Sequence, residues 1–103
     1  MKTKKLQEFF EKEDFNVHLV KQDGVQCAEI EKWTTGGVDM IIWLNPFTIK
    51  EFELYVNDFD VDGVIDQYRQ DECYKRNFTV RQSLDDFTEF HEGLKETLSK
   101  LIK

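Results

Sequence analysis

The spacing of apolar residues at the start of the chain is that of a helix. Leu6, Phe9 and Phe10 are three and then one residue apart, which places them on one narrow helical stripe. Thr3 stands where an N-cap is expected, and the stripe ends near Asp14. The pattern therefore predicts a short amphipathic helix at the beginning of the chain.

The period then changes to two, which is typical of strands. Asp23-Gly24 is a strong signal for a two-residue type I′ turn, because both central positions of that turn need positive φ. Gly36-Gly37 marks a second turn, and Pro46 closes the last strand because it cannot donate to a ladder. The predicted strands of this antiparallel meander are residues 15–19, 25–34 and 38–44.

The third strand is apolar on both of its sides. Residues 40, 42 and 44 point one way, whereas Ile41 and Trp43 point the other way. Trp43, together with Trp33, either packs under another helix or forms an exposed patch that binds a partner. Burial is the expectation, because the helices elsewhere in the chain need a surface on which to pack.

The rest of the chain is predicted to be helical. Thr48 and Glu51 form a capping box, and a second helix begins near Val61 and ends near residues 76–77. Ser83 is expected to cap the last helix. The stripe of that helix is Leu84, Phe87, His91, Leu94, Leu98 and Leu101. The chain is therefore predicted to be one α+β domain over residues 1–103, with a short N-terminal helix, a three-stranded antiparallel meander and then two to three helices.

Charge narrows the range of functions. The chain has 14 Lys and Arg against 21 Asp and Glu, a net charge of −7, and a protein that binds nucleic acid directly needs the opposite balance. Residues 48–73 contain eight acids, Lys50 and Arg69, and so hold most of the excess. There is no apolar run long enough for a membrane span and no signal-peptide core, so a cytoplasmic location is expected.

Candidate chemistry in this sequence is sparse. Residues 58–66 match part of a calcium-binding loop, but position 12 of that loop is Arg69, a cation in place of a bidentate carboxylate. The alternative, that Asp60 or Asp62 caps the second helix, is favoured. Cys27 and Cys73 have no metal or redox spacing and are expected to be buried thiols. The chain is therefore predicted to need no metal or cofactor.

Histidines and glycines add no support for an enzyme. His91 lies on an apolar stripe, which favours a partly buried histidine over a general acid or base. Gly36-Gly37 is a bare pair at a turn and not a phosphate-binding loop. Carboxylates are plentiful, but no pattern pairs two of them for acid–base work. The prediction is a protein without catalytic activity.

Concentrating so many acids in one segment costs electrostatic energy, and one function would account for that cost. Carboxylates interleaved with aromatic side chains suit docking on a basic groove of another protein, with the acids steering encounter and the aromatics forming buried hot spots. The predicted partner-binding residues are Asp58, Asp60, Asp62, Asp66, Asp71, Glu72, Tyr55 and Tyr68.

The order of elements, together with the acidic run over residues 51–72, resembles small acidic proteins of phages and mobile elements that inhibit DNA-processing enzymes, some anti-CRISPR proteins among them. The resemblance implies inhibition by mimicry of DNA phosphates. The alternative is a homo-oligomeric interaction or scaffold protein that uses the apolar sheet face at Trp33 and Trp43 or the seam of the last helix. Salt separates the two, because only the phosphate mimic loses affinity steeply as ionic strength rises.

Overall fold

The architecture follows the predicted order of elements. The structure, a computed structural model, describes residues 2–59 and 80–102. Its elements are α1 (Thr3–Lys12), β1 (Asn16–Gln22), β2 (Val25–Trp33), β3 (Asp39–Leu44), α2 (Ile49–Asp58) and α3 (Val80–Leu101). The predicted α+β class is confirmed: a helix, a three-stranded antiparallel sheet, and then helices. The helix predicted from Val61 lies outside the described residues.

The first helix begins one residue earlier than predicted. Lys2 is the N-cap, with extended dihedral angles and no side-chain cap bond, and Thr3 is already helical. The prediction that Thr3 caps α1 is therefore wrong, since a cap residue must itself be non-helical. After Lys12 the chain turns into β1 through Asp14, whose φ is 66°.

The sheet has the order β1-β2-β3, with both pairs antiparallel. Asp23 and Gly24 have φ values of 51° and 79°, so the predicted hairpin with two positive-φ residues is confirmed. Strand β1 continues to Gln22, beyond the predicted end at residue 19, because residues 20–22 pair with β2 up to the turn.

One face of the sheet forms the core together with all three described helices. Ile30 on β2 pairs with Val17 and with Ile42, and this row belongs to one apolar cluster with residues of the three described helices. Phe10 of α1 is fully buried, and its ring centroid lies 4.9 Å from that of Phe52 on α2. The buried cluster is Leu6, Phe10, Phe15, Ala28, Ile30, Ile42, Leu44, Phe47, Phe52, Val56, Phe90, Leu94 and Leu98.

The opposite side of the sheet is open at its two tryptophans, although Cys27, which lies on the same side, is buried. Trp33 is 60% exposed and Trp43 is 41% exposed, so the expectation that a helix covers them is wrong. The physical reason is the placement of α1, α2 and α3, which all supply residues to the cluster on the other face. Within the described residues, the exposure weighed as the second outcome for these tryptophans is observed, and the binding of a partner there stays a prediction.

The two later helices differ in how well their starts were predicted. Thr48 Oγ1 accepts a hydrogen bond from the Glu51 N–H at 3.2 Å, which confirms the predicted cap of α2. The Thr48 N–H donates instead to the Pro46 carbonyl, so only half of the capping box is observed. Helix α3 already begins at Val80, and Ser83 therefore lies inside it and is not its cap.

The apolar stripe of α3 is wider than predicted. Phe87, Leu94 and Leu98 are buried as expected, but Phe90 is buried as well. The Phe90 ring packs edge-on against Phe15, with ring centroids 6.2 Å apart. A helix that contacts both a sheet and a second helix buries a broader arc than a single three-four stripe.

Candidate binding surface

The open side of the sheet is the candidate site, and it is called the outer face below. Side chains alternate along a strand, and directly paired residues of antiparallel strands share a face. Trp43 pairs with Glu29, and Glu29 pairs with His18, so these three residues form one row across the sheet. The outer face consists of Asn16, His18, Val20, Gln22, Val25, Cys27, Glu29, Glu31, Trp33, Asp39, Ile41 and Trp43.

Large apolar side chains are exposed on all three strands of the outer face. Ile41 is 50% exposed beside Trp43, and Val20 and Val25 are exposed near the first hairpin. Scattered apolar residues are normal on protein surfaces, whereas a larger exposed apolar patch is typical of an interaction site. Tryptophan is also the residue type most enriched at binding hot spots.

Acidic side chains alternate with these apolar ones. Glu29 is paired with Trp43, Glu31 with Ile41, and Asp39 with Trp33. None of the outer-face residues is a lysine or an arginine. His18 Nε2 lies 3.7 Å from Glu31 Oε2, so only a protonated histidine would offset part of this negative charge.

The nearest lysine in β2 is turned toward the other side. Lys32 lies on the core face of the strand, where its Nζ donates to the Glu13 carbonyl at 3.3 Å. The same ammonium sits 4.7 Å above the centroid of the Phe15 ring, a cation–π arrangement. Both contacts hold the Lys32 ammonium at the end of α1. The glutamates of β2 on the outer face therefore have no neutralising lysine on their own strand.

Hydrogen bonds from α3 hold the end of β2 next to Trp33. Thr34 is buried, and its Oγ1 donates to Asp86 Oδ1 at 2.8 Å. The Thr35 N–H donates to Glu89 Oε2 at 2.8 Å. Two bonds to one helix fix the turn that follows β2, and they fix the position of Trp33 at the edge of the outer face.

Only two of the predicted partner-binding residues lie in the described part of the chain. Asp58 is exposed and is the last residue of α2. Tyr55 is half-buried against the core, and burial raises the pKa of its hydroxyl to about 12. The remaining six lie outside the described residues, so their clustering stays a prediction: Asp60, Asp62, Asp66, Asp71, Glu72 and Tyr68.

The cysteine and the histidine that were considered for chemistry pack against other parts of the fold. Cys27 is buried as predicted, outside the main core cluster, while Cys73 lies outside the described residues. His91 is partly buried as predicted; its Nε2 lies 3.1 Å from the Val56 carbonyl, and its ring stacks on Phe59. Over residues 2–59 and 80–102, no three His, Cys, Asp or Glu side chains are grouped to hold a metal ion.

In the described part of the chain, no helix combines the length and the apolar character that crossing a bilayer requires.

Comparison of the chain with protein-family models, with curated proteins and with solved structures found no match. The resemblance to phage inhibitors therefore stays a prediction, and the geometry of the outer face is the basis for proposing a function.

Sequence reasoning identified the tryptophans as one of two possible binding surfaces but ranked the acidic run above them. The available signal was β2 itself, in which Glu29, Glu31 and Trp33 alternate with the buried Ala28 and Ile30. An outward row with two glutamates indicates solvent exposure of that side of the strand. That signal extends to Ile41 and Trp43 only once the register of β2 with β3 is known.

Proposed function

We propose that this chain is a non-enzymatic protein-binding module that docks through its outer face on a basic surface of another protein. The observation that carries the proposal is the exposure of Trp33, Ile41 and Trp43 among acids, with no lysine or arginine on the same face. The cytoplasm is the compartment that we propose for this interaction.

A protein surface is the occupant that suits this face best. The face spans three strands, so it offers an extended contact area and not a closed pocket for a small molecule. Interfaces have apolar, aromatic-rich centres and polar rims. Trp43 and Ile41 supply such a centre, and Glu29, Glu31 and Asp39 supply charges within it and around it.

Charge favours a basic partner over a second copy of this chain. In a symmetric dimer the same patch meets itself, so the carboxylates of Glu29, Glu31 and Asp39 would face each other. Each copy also has a net charge of −7. Like charges at about 4 Å repel by about 1 kcal/mol in water and by about 4 kcal/mol near a protein surface. A partner that brings lysines or arginines turns the same term into attraction.

The acidic run adds long-range attraction to the same kind of partner. Residues 48–73 contain eight acids and two bases, and they give the whole chain a field that steers positively charged surfaces toward it. Inhibition of a DNA-processing protein by phosphate mimicry is the special case in which the basic surface is a DNA-binding groove. Competition by duplex DNA for the partner distinguishes this case from a partner with no nucleic-acid site.

The test compares which proteins the wild-type chain captures from a cell lysate with those captured by a face variant and by a matched control. The face variant is Ile41→Thr with Trp43→Thr, since threonine suits a strand and removes the exposed apolar groups. The control is Leu54→Thr on α2, which removes a side chain that is 45% exposed but lies away from the sheet. Captured proteins are identified by mass spectrometry, and circular dichroism establishes that all variants fold.

The proposal requires one or more basic proteins that the wild type and Leu54→Thr capture and that the face variant does not. Capture must also weaken as the Debye length falls from about 10 Å at 0.1 M salt to about 3 Å at 1 M. Equal capture by the folded face variant would overturn the proposal. A wild-type chain that instead self-associates through Trp43 would support the homo-oligomeric alternative.

A further inference from the structure

We infer that the groove beside Trp33 receives the guanidinium group of an arginine from the partner. The inference rests on the proposed function, because it names the side chain that the partner would insert at one edge of the outer face. The groove lies between the turn after β2 and helix α3 and has a volume of about 450 Å³. Its lining includes Trp33, Glu89, Phe90, Glu92, Gly93 and Glu96.

The lining of the groove includes one exposed tryptophan and three carboxylates. Trp33 is 60% exposed and lines the groove from the end of β2. Glu89, Glu92 and Glu96 line the α3 side. A guanidinium is planar, stacks on aromatic rings and donates in a fixed fork to carboxylates, so its shape and its charge both match these walls.

Gly93 lines the groove, and no packing contact requires a glycine at this position. Glycine in the interior of a helix is destabilising by about 0.5–1 kcal/mol relative to alanine. A Cβ atom added at Gly93 would meet no atom within 4 Å, so neither a neighbouring helix nor the sheet excludes a larger residue. The glycine instead keeps free the space over the buried Phe90, next to the three glutamates.

The charges already present leave room for an added cation. Among the residues that the structure describes, Lys32 is the one lysine that lines the groove, and its ammonium is engaged with the Phe15 ring and the Glu13 carbonyl. Glu92 is 3.5 Å from Lys95, and Glu96 is 3.7 Å from Lys100. Exposed pairs of this kind contribute about 0–1 kcal/mol, so a bound guanidinium can replace them.

Glu89 has a different role from the other two glutamates. Its Oε2 accepts the Thr35 N–H at 2.8 Å, and this bond holds the turn that forms one wall of the groove. Its carboxylate has two oxygens, so the second one can accept from a guanidinium while the first retains the turn. Variants for the test are therefore made at Glu92 and at Gly93, where no turn contact is lost.

The experiment titrates the full chain with N-acetyl-arginine methylamide and follows the indole N–H signals by NMR. The chain has two tryptophans, so Trp43 on the same face is an internal control for Trp33. N-acetyl-norleucine methylamide is the uncharged probe. Gly93→Gln fills the groove with a flexible neutral side chain, and Thr88→Gln introduces the same side chain at an exposed position of α3 outside the groove.

The inference predicts a saturable shift of the Trp33 indole signal with the arginine probe, a small shift of Trp43, and little response to norleucine. Gly93→Gln should weaken binding roughly tenfold, which corresponds to about 1.4 kcal/mol, and Thr88→Gln should leave it unchanged. Glu92→Gln should weaken binding, whereas Glu53→Gln on α2, away from the groove, should not.

Equal shifts of both indole signals, an equal response to norleucine, or unchanged binding by Gly93→Gln would overturn the inference. Failure here is distinguishable from failure of the proposed function. If partner capture depends on Trp43 but the arginine probe does not bind, the outer face is the interface and the groove is not part of it. If the probe binds but capture is unaffected at Trp43, the proposed function fails.

Discussion

At the scale of single residues, the buried hydrogen bond from Thr34 to Asp86 holds the end of β2 to α3. Thr34 Oγ1 donates to Asp86 Oδ1 over 2.8 Å, and both residues are buried. Thr34→Val keeps the shape of the side chain but leaves the carboxylate without this donor and the Val38 N–H without its Oγ1 acceptor. We expect the free energy of unfolding, measured by urea denaturation, to fall by about 1–3 kcal/mol.

The matched control for this bond is Asp86→Asn, which keeps a side-chain oxygen that can accept from Thr34. We expect the loss in this variant to be smaller than in Thr34→Val. An undiminished unfolding free energy in Thr34→Val would show that the junction does not depend on the bond.

Tyr55 makes stability depend on pH in the alkaline range. Burial raises the pKa of its hydroxyl from 10.0 to about 12, so the unfolded chain loses this proton at a lower pH than the folded one. The unfolded state then binds fewer protons, and stability falls as pH rises from 10.0 toward about 12. This contribution is absent in Tyr55→Phe.

Urea denaturation at a series of pH values checks the Tyr55 prediction. The unfolding free energy of the wild type should decrease more steeply than that of Tyr55→Phe across the window between the two pKa values. Parallel curves for the two proteins would contradict the burial of this hydroxyl.

At the scale of elements, the start of α2 depends on one cap. Thr48 Oγ1 accepts the Glu51 N–H, which is one of the donors that have no partner within the helix. Thr48→Ala should lower the free energy of unfolding by about 0.5–2 kcal/mol, measured by denaturation. Thr88→Ala, at an exposed position inside α3, should change it by less than about 0.5 kcal/mol, and equal effects would contradict the role of the cap.

Sequence reasoning located the elements better than it located the covered face. The alternation in the strands, the Asp23-Gly24 turn and the Thr48 cap are local signals, and each corresponds to an observed feature. The predicted caps at Thr3 and Ser83 were wrong, because a residue suited to capping can also lie inside a helix when the residues before it continue the helical backbone.

The exposure of Trp43 could not be read from its own strand. Strand β3 is apolar on both sides, so its pattern predicts two faces but does not tell which of them the helices cover. The choice depends on where α1, α2 and α3 pack, which is a tertiary property. The candidate site was hidden for the same reason, because Trp33 and Trp43 come from different strands whereas the acidic run is contiguous in sequence.

At the scale of the whole molecule, net charge opposes self-association through the outer face. Two copies would each bring a charge of −7 and three carboxylates on the contact surface. We expect sedimentation velocity to show a monomer at low ionic strength. A dimer that persists in the wild type and in Leu54→Thr but dissociates in Trp43→Thr would contradict this prediction.

We expect Trp43 to lie at the centre of the protein-binding interface, and the affinity of Trp43→Thr for the captured partner is the decisive measurement. Removal of a tryptophan hot spot costs about 2 kcal/mol or more, so Kd from isothermal titration calorimetry should rise at least roughly thirtyfold. Leu54→Thr should bind like the wild type, since its side chain is equally exposed but lies on α2. A Kd for folded Trp43→Thr that matches that of the wild type would contradict the account.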